Sequence, residues 1–208
     1  MSSKVTPITP DLLAVEVTVL AAARPGRVRL VVDGPPPTRP RVLADAVADG
    51  LRTRGRAALV VDAADYLRPA SVRLEYGRTD PDAFLDDRLD VGGLRREVLV
   101  PAAPDGSGRV LPRLWDARAD RAYRDSYVTL PPDGVVVLAG GLLLGRGLPF
   151  ELAVHLRMSA AALARRLAAE EAWTLPAYAR YDSEFGPAEE ADLLVLADHP
   201  DRPAVRRS

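Results

Sequence analysis

The stretch VRLVVDGPPPTRPRVLADAVADGL, residues 28–51, constrains this chain more than any other. Its apolar run Val28–Val32 reads as a buried strand. Asp33–Gly34 ends the run. A helix is expected over Arg41–Arg54, with Val42, Leu43, Ala46, Val47 and Leu51 on one face and Gly55 as the stop. Strand, glycine turn and helix form the frame of a phosphate-binding loop, G-x-x-x-x-G-K-[ST]. In that loop backbone N–H groups and a lysine surround the phosphates, and a hydroxyl meets magnesium. Counted from Gly34, the second glycine falls at Arg39, the lysine at Pro40 and the hydroxyl residue at Arg41. The frame is present and the parts that bind phosphate are not.

The prolines carry the same message without any alignment. Positions 35, 36, 37 and 40 are all proline, which has no N–H to offer and pushes the preceding residue toward extended geometry. A phosphate nest needs successive N–H groups turned inward. Gly34, Thr38, Arg39 and Arg41 are what is left for a vestigial anion site, with donors at a helix start and two added positive charges. The plainer alternative is that Pro40 simply starts the helix cleanly.

A chain of 208 residues with 48% hydrophobic content is expected to form one α/β domain, with its core over about residues 27–200. Net charge is −1, which argues against a dedicated nucleic-acid binder. There is no cysteine, and only two histidines, His155 and His199, so no metal site is expected. No signal-peptide pattern and no long apolar run are present. The expectation is a cytoplasmic protein with no membrane partner.

Further along, a leading helix is expected over 11–23 and strands over 57–61, 135–139, 152–156 and 191–196, the last followed by a polar tail. Helices are expected over 81–87, 93–100 and 160–171, and a β-hairpin from 109–116 and 122–129. Strands alternating with helices imply a mostly parallel sheet with helices on both faces. His155, inside an apolar strand, reads as a packed core histidine, and Glu151 has no assignable role.

These segments, in order, resemble a known family. VRLVVDGPP with VLADAVADGL, VVDAADYLRPAS, TDPDAFLDDRLD, RVLPRLWDARAD, VVVLAGGLLL and RYDSEFGPAEEADLLVLAD are similar to the uridine kinase-like group of P-loop nucleoside kinases, over roughly residues 27–203. The resemblance implies an α/β, P-loop NTPase-like fold. In such kinases a carboxylate after the second strand accepts the proton of the nucleoside 5′-hydroxyl. That position is Ala64 here, and Asp62 and Asp65 are the neighbouring candidate acids. In an extended segment Asp65 would point away from Ala64. The acid that ends the family's Walker B strand is replaced by Ala139–Gly140, and the late lid arginine falls at Ala169 or Glu170, beyond Arg165 and Arg166. On the acceptor side the resemblance places Tyr66, Arg68, Asp90, Trp115 and Asp116 around a nucleoside pocket, with Asp80 and Asp82 in its loops. The structural alternative makes Trp115 plain core and the aspartates loop caps.

Three functions follow. The first is a degenerate kinase that needs no cofactor and binds a nucleoside-like ligand, a protein partner or its own copy as a homodimer. The second is an enzyme with new chemistry in the old pocket, drawing on Asp62, Asp65, Asp116, Glu151 or His155. The third is a divergent phosphotransferase that holds ATP and magnesium with the help of Arg39 and Arg41. A wide polar cavity at the strand ends favours the last two, and a filled phosphate position favours the first.

Overall fold

The computed structural model describes residues 4–207. Its seven-stranded sheet is made of β1 (Lys4–Pro7), β2 (Val28–Asp33), β3 (Ala58–Asp62), β4 (Val135–Gly140), β5 (Leu152–Arg157), β6 (Leu193–Leu196) and β7 (Ala204–Arg207), in the order β1-β7-β6-β5-β2-β4-β3. The five strands from β6 to β3 run parallel. β7 and β1 add an antiparallel edge. The expected polar tail is therefore corrected: Val205 of β7 is buried, because two short strands from opposite chain ends pair and cover the open edge of β6.

Strand side chains alternate between faces. Val28, Leu30 and Val32 of β2, with Leu152 and Val154 of β5, pack against α1 (Pro10–Ala22) and α2 (Pro40–Thr53). Val31 and Ala153 face the other way, toward the Leu85–Leu99 region, α4 (Ala160–Arg166) and α5 (Leu175–Arg180), with α3 (Pro81–Asp86) beside them. Burial of each such valine or leucine contributes roughly 1.5–3 kcal/mol, so both faces hold the sheet.

The buried stripe of α2 keeps Leu43, Val47 and Leu51 as expected, but Ala44 and Ala48 complete it in place of Val42, which is 63% exposed, and Ala46, which is exposed. Small residues decided the rotation. Gly50 lies against Thr18 of α1, where an added Cβ would sit 2.7 Å from its hydroxyl. Gly55 ends the helix at φ 76°, as expected. The expected helix over 160–171 breaks after Arg166: Leu167 and Ala168 are extended, and a 3-10 turn covers Ala169–Thr174. The expected hairpin forms as two short antiparallel ladders, Arg109–Val110 with Val128–Thr129 and Trp115–Asp116 with Arg121–Ala122. No helix among the described residues is long and apolar enough to cross a membrane.

The connections matter for function. β2 leads into α2 on one face, while its neighbour β5 leads into α4 on the opposite face. In parallel α/β sheets, the crevice outside such strand ends is where ligands bind.

Candidate functional site

The loop after β2 keeps a phosphate-loop path with its donors turned elsewhere. A 3-10 turn, Pro36–Thr38, precedes Arg39, which sits at φ 58° and ψ 53°. That left-handed conformation suits glycine, and Arg39 occupies the place where the motif has its second glycine. Between residues 34 and 40 only Gly34, Thr38 and Arg39 carry an N–H. Gly34 donates to the Gly140 carbonyl at 2.9 Å, Thr38 to Pro35 at 2.9 Å and Arg39 to Pro36 at 3.0 Å. The Thr38 hydroxyl donates to the Pro35 carbonyl at 2.7 Å and is buried. A side chain at position 34 would meet that hydroxyl at 2.6 Å, so glycine is required there by close packing.

These residues do not fit a magnesium–triphosphate group. The loop presents no lysine and no inward row of amides, and β4 ends in Ala139–Gly140 without a carboxylate. The two loop arginines are also engaged: Arg39 pairs with Asp201 at 3.0 Å, and Arg41 with Asp45 at 2.9 Å and Asp62 at 3.5 Å.

The space beside the loop is nevertheless open. A cavity of about 400 Å³ lies at the ends of β2, β4 and β3. Gly34, Arg39, Arg41 and Asp62 line it, joined by Arg88, Glu171, Leu67 and an aromatic wall. In that wall Phe84 meets Trp173 edge-on, with centroids 5.3 Å apart, and Tyr178 at 5.9 Å. Arg88 lies over the Phe84 ring at 4.8 Å. Burial first, and then the like charge of Arg73, hold its guanidinium below the usual arginine range. Such a cation favours a ligand that brings an acceptor. Asp62 caps the turn after β3 by accepting the Ala64 N–H at 2.9 Å. The segment after α4 supplies Leu167, Glu171, Trp173 and Thr174, whereas Arg166 turns away to the Asp198 carbonyl.

Several sequence candidates sit elsewhere. The segment after Asp62 is a 3-10 turn, not extended as expected, and Ala64 lines the cavity while Asp65 does not. Asp65 is hydrogen-bonded to Tyr123; burial pushes its carboxyl up, and Asp62 adds to that. Tyr66 is fully buried and donates to the Leu111 carbonyl at 2.5 Å. Arg68 pairs with Asp87 at 3.4 Å. Asp90 and Asp80 are helix N-caps, accepting from Gly93 and Ala83 at 2.7 Å each. Trp115 donates from its ring N–H to Asp120 at 3.1 Å, and Asp116 accepts the Arg118 and Ala119 amides of the hairpin turn. Thr38 faces inward, as above. Tyr66, Arg68, Asp90, Trp115 and Asp116, expected around a nucleoside pocket, are held by core, ion-pair, capping and turn contacts, and none of them lines this cavity. Glu151, unassigned from sequence, accepts the Arg29 N–H at 2.7 Å and pairs with its guanidinium.

Phe84, Arg88, Trp173 and Tyr178 were missed. The signal for them was three aromatic residues, Phe84, Trp173 and Tyr178, in a chain that is only 5% aromatic. His155 is buried, as expected, but it is also paired: its Nδ1–H donates to Asp33 Oδ2 at 2.7 Å. Asp33 accepts as well from the Leu143 N–H at 2.9 Å and the Tyr181 hydroxyl at 3.1 Å. Burial and the Asp33 charge push the Tyr181 phenol well above its ordinary range.

Neither a protein-family model nor a curated protein matches this chain. Solved structures do. One, described as a possible uridine kinase from Bacillus stearothermophilus, superposes with a TM-score of 0.70 at 20% identity, over 89% of this chain and 96% of that one. Another, from Silicibacter sp. TM1040 and provisionally described as a fructose transport system kinase, gives 0.59 at 22% identity, over 89% and 90%. With its parallel sheet, the β2 turn and the helix that follows, the chain has the fold of the uridine kinase-like P-loop kinases.

Proposed function

We propose that this protein uses the cavity beside the β2 loop to bind a nucleoside-like small molecule and has given up ATP-dependent phosphoryl transfer. One observation carries the reading: across residues 34–40 every backbone N–H is either absent, at proline, or donated within the protein. Phosphoryl transfer is almost wholly positioning and charge stabilisation. Each electrostatic contact of this kind is worth roughly 2.7–4 kcal/mol. Losing the lysine, the hydroxyl, the amides and two carboxylates together removes many orders of magnitude in rate.

The cavity walls support a planar, uncharged ligand. The faces left by the Phe84–Trp173–Tyr178 cluster suit a flat ring. Arg88 suits a ring carbonyl, and Asp62 and Glu171 suit hydroxyl groups. A nucleoside presents all three.

Calorimetric titration with uridine, cytidine and ATP, the last with and without magnesium, tests this. The expected result is heat with a nucleoside and none with ATP. Magnesium-dependent ATP binding in the micromolar range overturns the loss of phosphoryl transfer. Silence with every nucleoside overturns the ligand and redirects the search to a protein partner or a homodimer.

A further inference from the structure

A second cavity, of about 390 Å³, opens between β2 and β5. This is the crevice where two adjacent parallel strands send their helices to opposite faces, the position at which such sheets hold ligands. Its polar floor comes from both strands. Asp33, the last residue of β2, and His155 of β5 are direct partners in the β2–β5 register, and their side chains meet at 2.7 Å. Asp33 is fully buried and His155 is 2% exposed.

The pair has a direction. A carboxylate against Nδ1 makes that nitrogen the donor, which leaves Nε2 as an acceptor. His155 lines the cavity, so Nε2 is the atom left to meet an occupant. Burial of both groups accounts for the pair itself; open space on the His155 side is the feature that packing does not require. At the mouth stands Asp182, close enough to His155 for the two to interact electrostatically. The walls are apolar, from Leu142, Met158, Leu163 and Leu175.

The lining selects by charge. It contains two carboxylates and no lysine or arginine; Arg157 lies near Asp182 but outside the lining. Phosphates and carboxylates are disfavoured there, since a buried negative charge repels them at short range. Among the described residues no three histidine or acidic groups converge as metal ligands. A donor-bearing, positively charged head on an apolar body matches both acceptors and the walls. We infer that the β2–β5 crevice is a binding site for a small organic amine, whose N–H groups meet His155 Nε2 and the Asp182 carboxylate while its apolar part fills the leucine-lined space. This site is separate from the nucleoside reading of the first cavity, with which it shares only Gly34, Leu142 and Tyr178 as a wall.

The test is calorimetry or ligand-observed NMR on the full chain, with benzylamine hydrochloride as probe and benzyl alcohol and benzoate as its uncharged and anionic counterparts. Saturable benzylamine binding is expected, with the alcohol at least about tenfold weaker and benzoate not bound. Ala164→Phe, at an exposed position on the rim, should close the mouth and abolish binding without disturbing the core. Asp182→Asn should weaken binding by about tenfold. Uridine should not compete. The assignment is overturned by any of four results: no saturable binding, equal binding of the alcohol or benzoate, indifference to Ala164→Phe, or displacement by uridine, which would seat the amine in the first cavity.

Discussion

Two loops leave the sheet side by side, after β2 and after β4, and their backbone amides go in opposite directions. In the first, the Thr38 and Arg39 amides fold back on the loop itself, to Pro35 and Pro36, and that of Gly34 goes to Gly140 of β4. In residues 141–145 they reach outward to side chains: Leu143 to Asp33, Leu144 to the Tyr181 hydroxyl and Gly145 to Glu190. Each loop holds one non-glycine residue in the left-handed region, Arg39 at φ 58° and Leu142 at φ 64°. That geometry is the one that turns successive N–H groups toward an anion. In the second loop one of those N–H groups, that of Leu143, meets the protein's own Asp33. In the first there is no such anion, and the loop is closed. Both sets of edge amides are satisfied internally, so recognition at this edge falls to side chains.

The comparison breaks most visibly at Asp33. Asp33→Ala leaves two amide or phenol donors and a histidine without their common acceptor, all buried. A loss of about 3–5 kcal/mol is expected, read as a lower urea midpoint at unchanged slope. A loss below about 1 kcal/mol would mean that the second loop does not depend on its internal anion.

A smaller effect separates side-chain recognition from loop recognition. Arg88→Ala should weaken uridine binding about tenfold, or roughly 1.4 kcal/mol, with little change in melting temperature. Unchanged affinity would place the nucleoside elsewhere.

Asp65 supplies a control outside both loops. Its carboxyl is pushed up in the folded protein, chiefly by burial. The fold therefore favours the protonated form, and the wild-type chain loses stability as pH rises through that raised value. Asp65→Asn should melt higher than wild type at neutral pH, and the gain should vanish near about pH 3.5, below the unfolded carboxyl value. An equal gain at both pH values would assign the effect to packing instead of charge.

The smallest expected effect is also the sharpest. Restoring the motif residues with Arg39→Gly, Pro40→Lys and Arg41→Thr should still give no measurable ATP binding, because Pro35, Pro36 and Pro37 continue to withhold amides. Micromolar ATP affinity in this variant would show that these three residues together had been the missing parts, and that the closed loop opens readily.

Much of the fold was legible in sequence. The runs at 28–32, 135–139 and 152–156 each fall within a strand of the sheet, and Pro40 and Gly55 bracket α2. What misled was local neutrality. Alanine carries little periodic signal, so one flank of the α2 stripe was read as Val42 and Ala46 where Ala44 and Ala48 are buried. Leu167 and Ala168 look helical, but the chain there turns extended to bring Trp173 over the cavity. β7 is short and half arginine, and only its pairing with β1 and β6 makes it a strand. The acceptor-side candidates were chosen by resemblance, and caps and turns had already claimed them.

The sequence by itself determined that the β2 loop is poor in donors, because a proline lacks its N–H in every conformation. It determined the parallel α/β class as well, because the period of apolar residues is a local property. Only the tertiary structure decided where the remaining polar chemistry lies. Asp33 and His155 are 122 residues apart in the chain and become neighbours through the register of two parallel strands. Register between strands so distant is set by the packing of the whole sheet, and no local pattern records it.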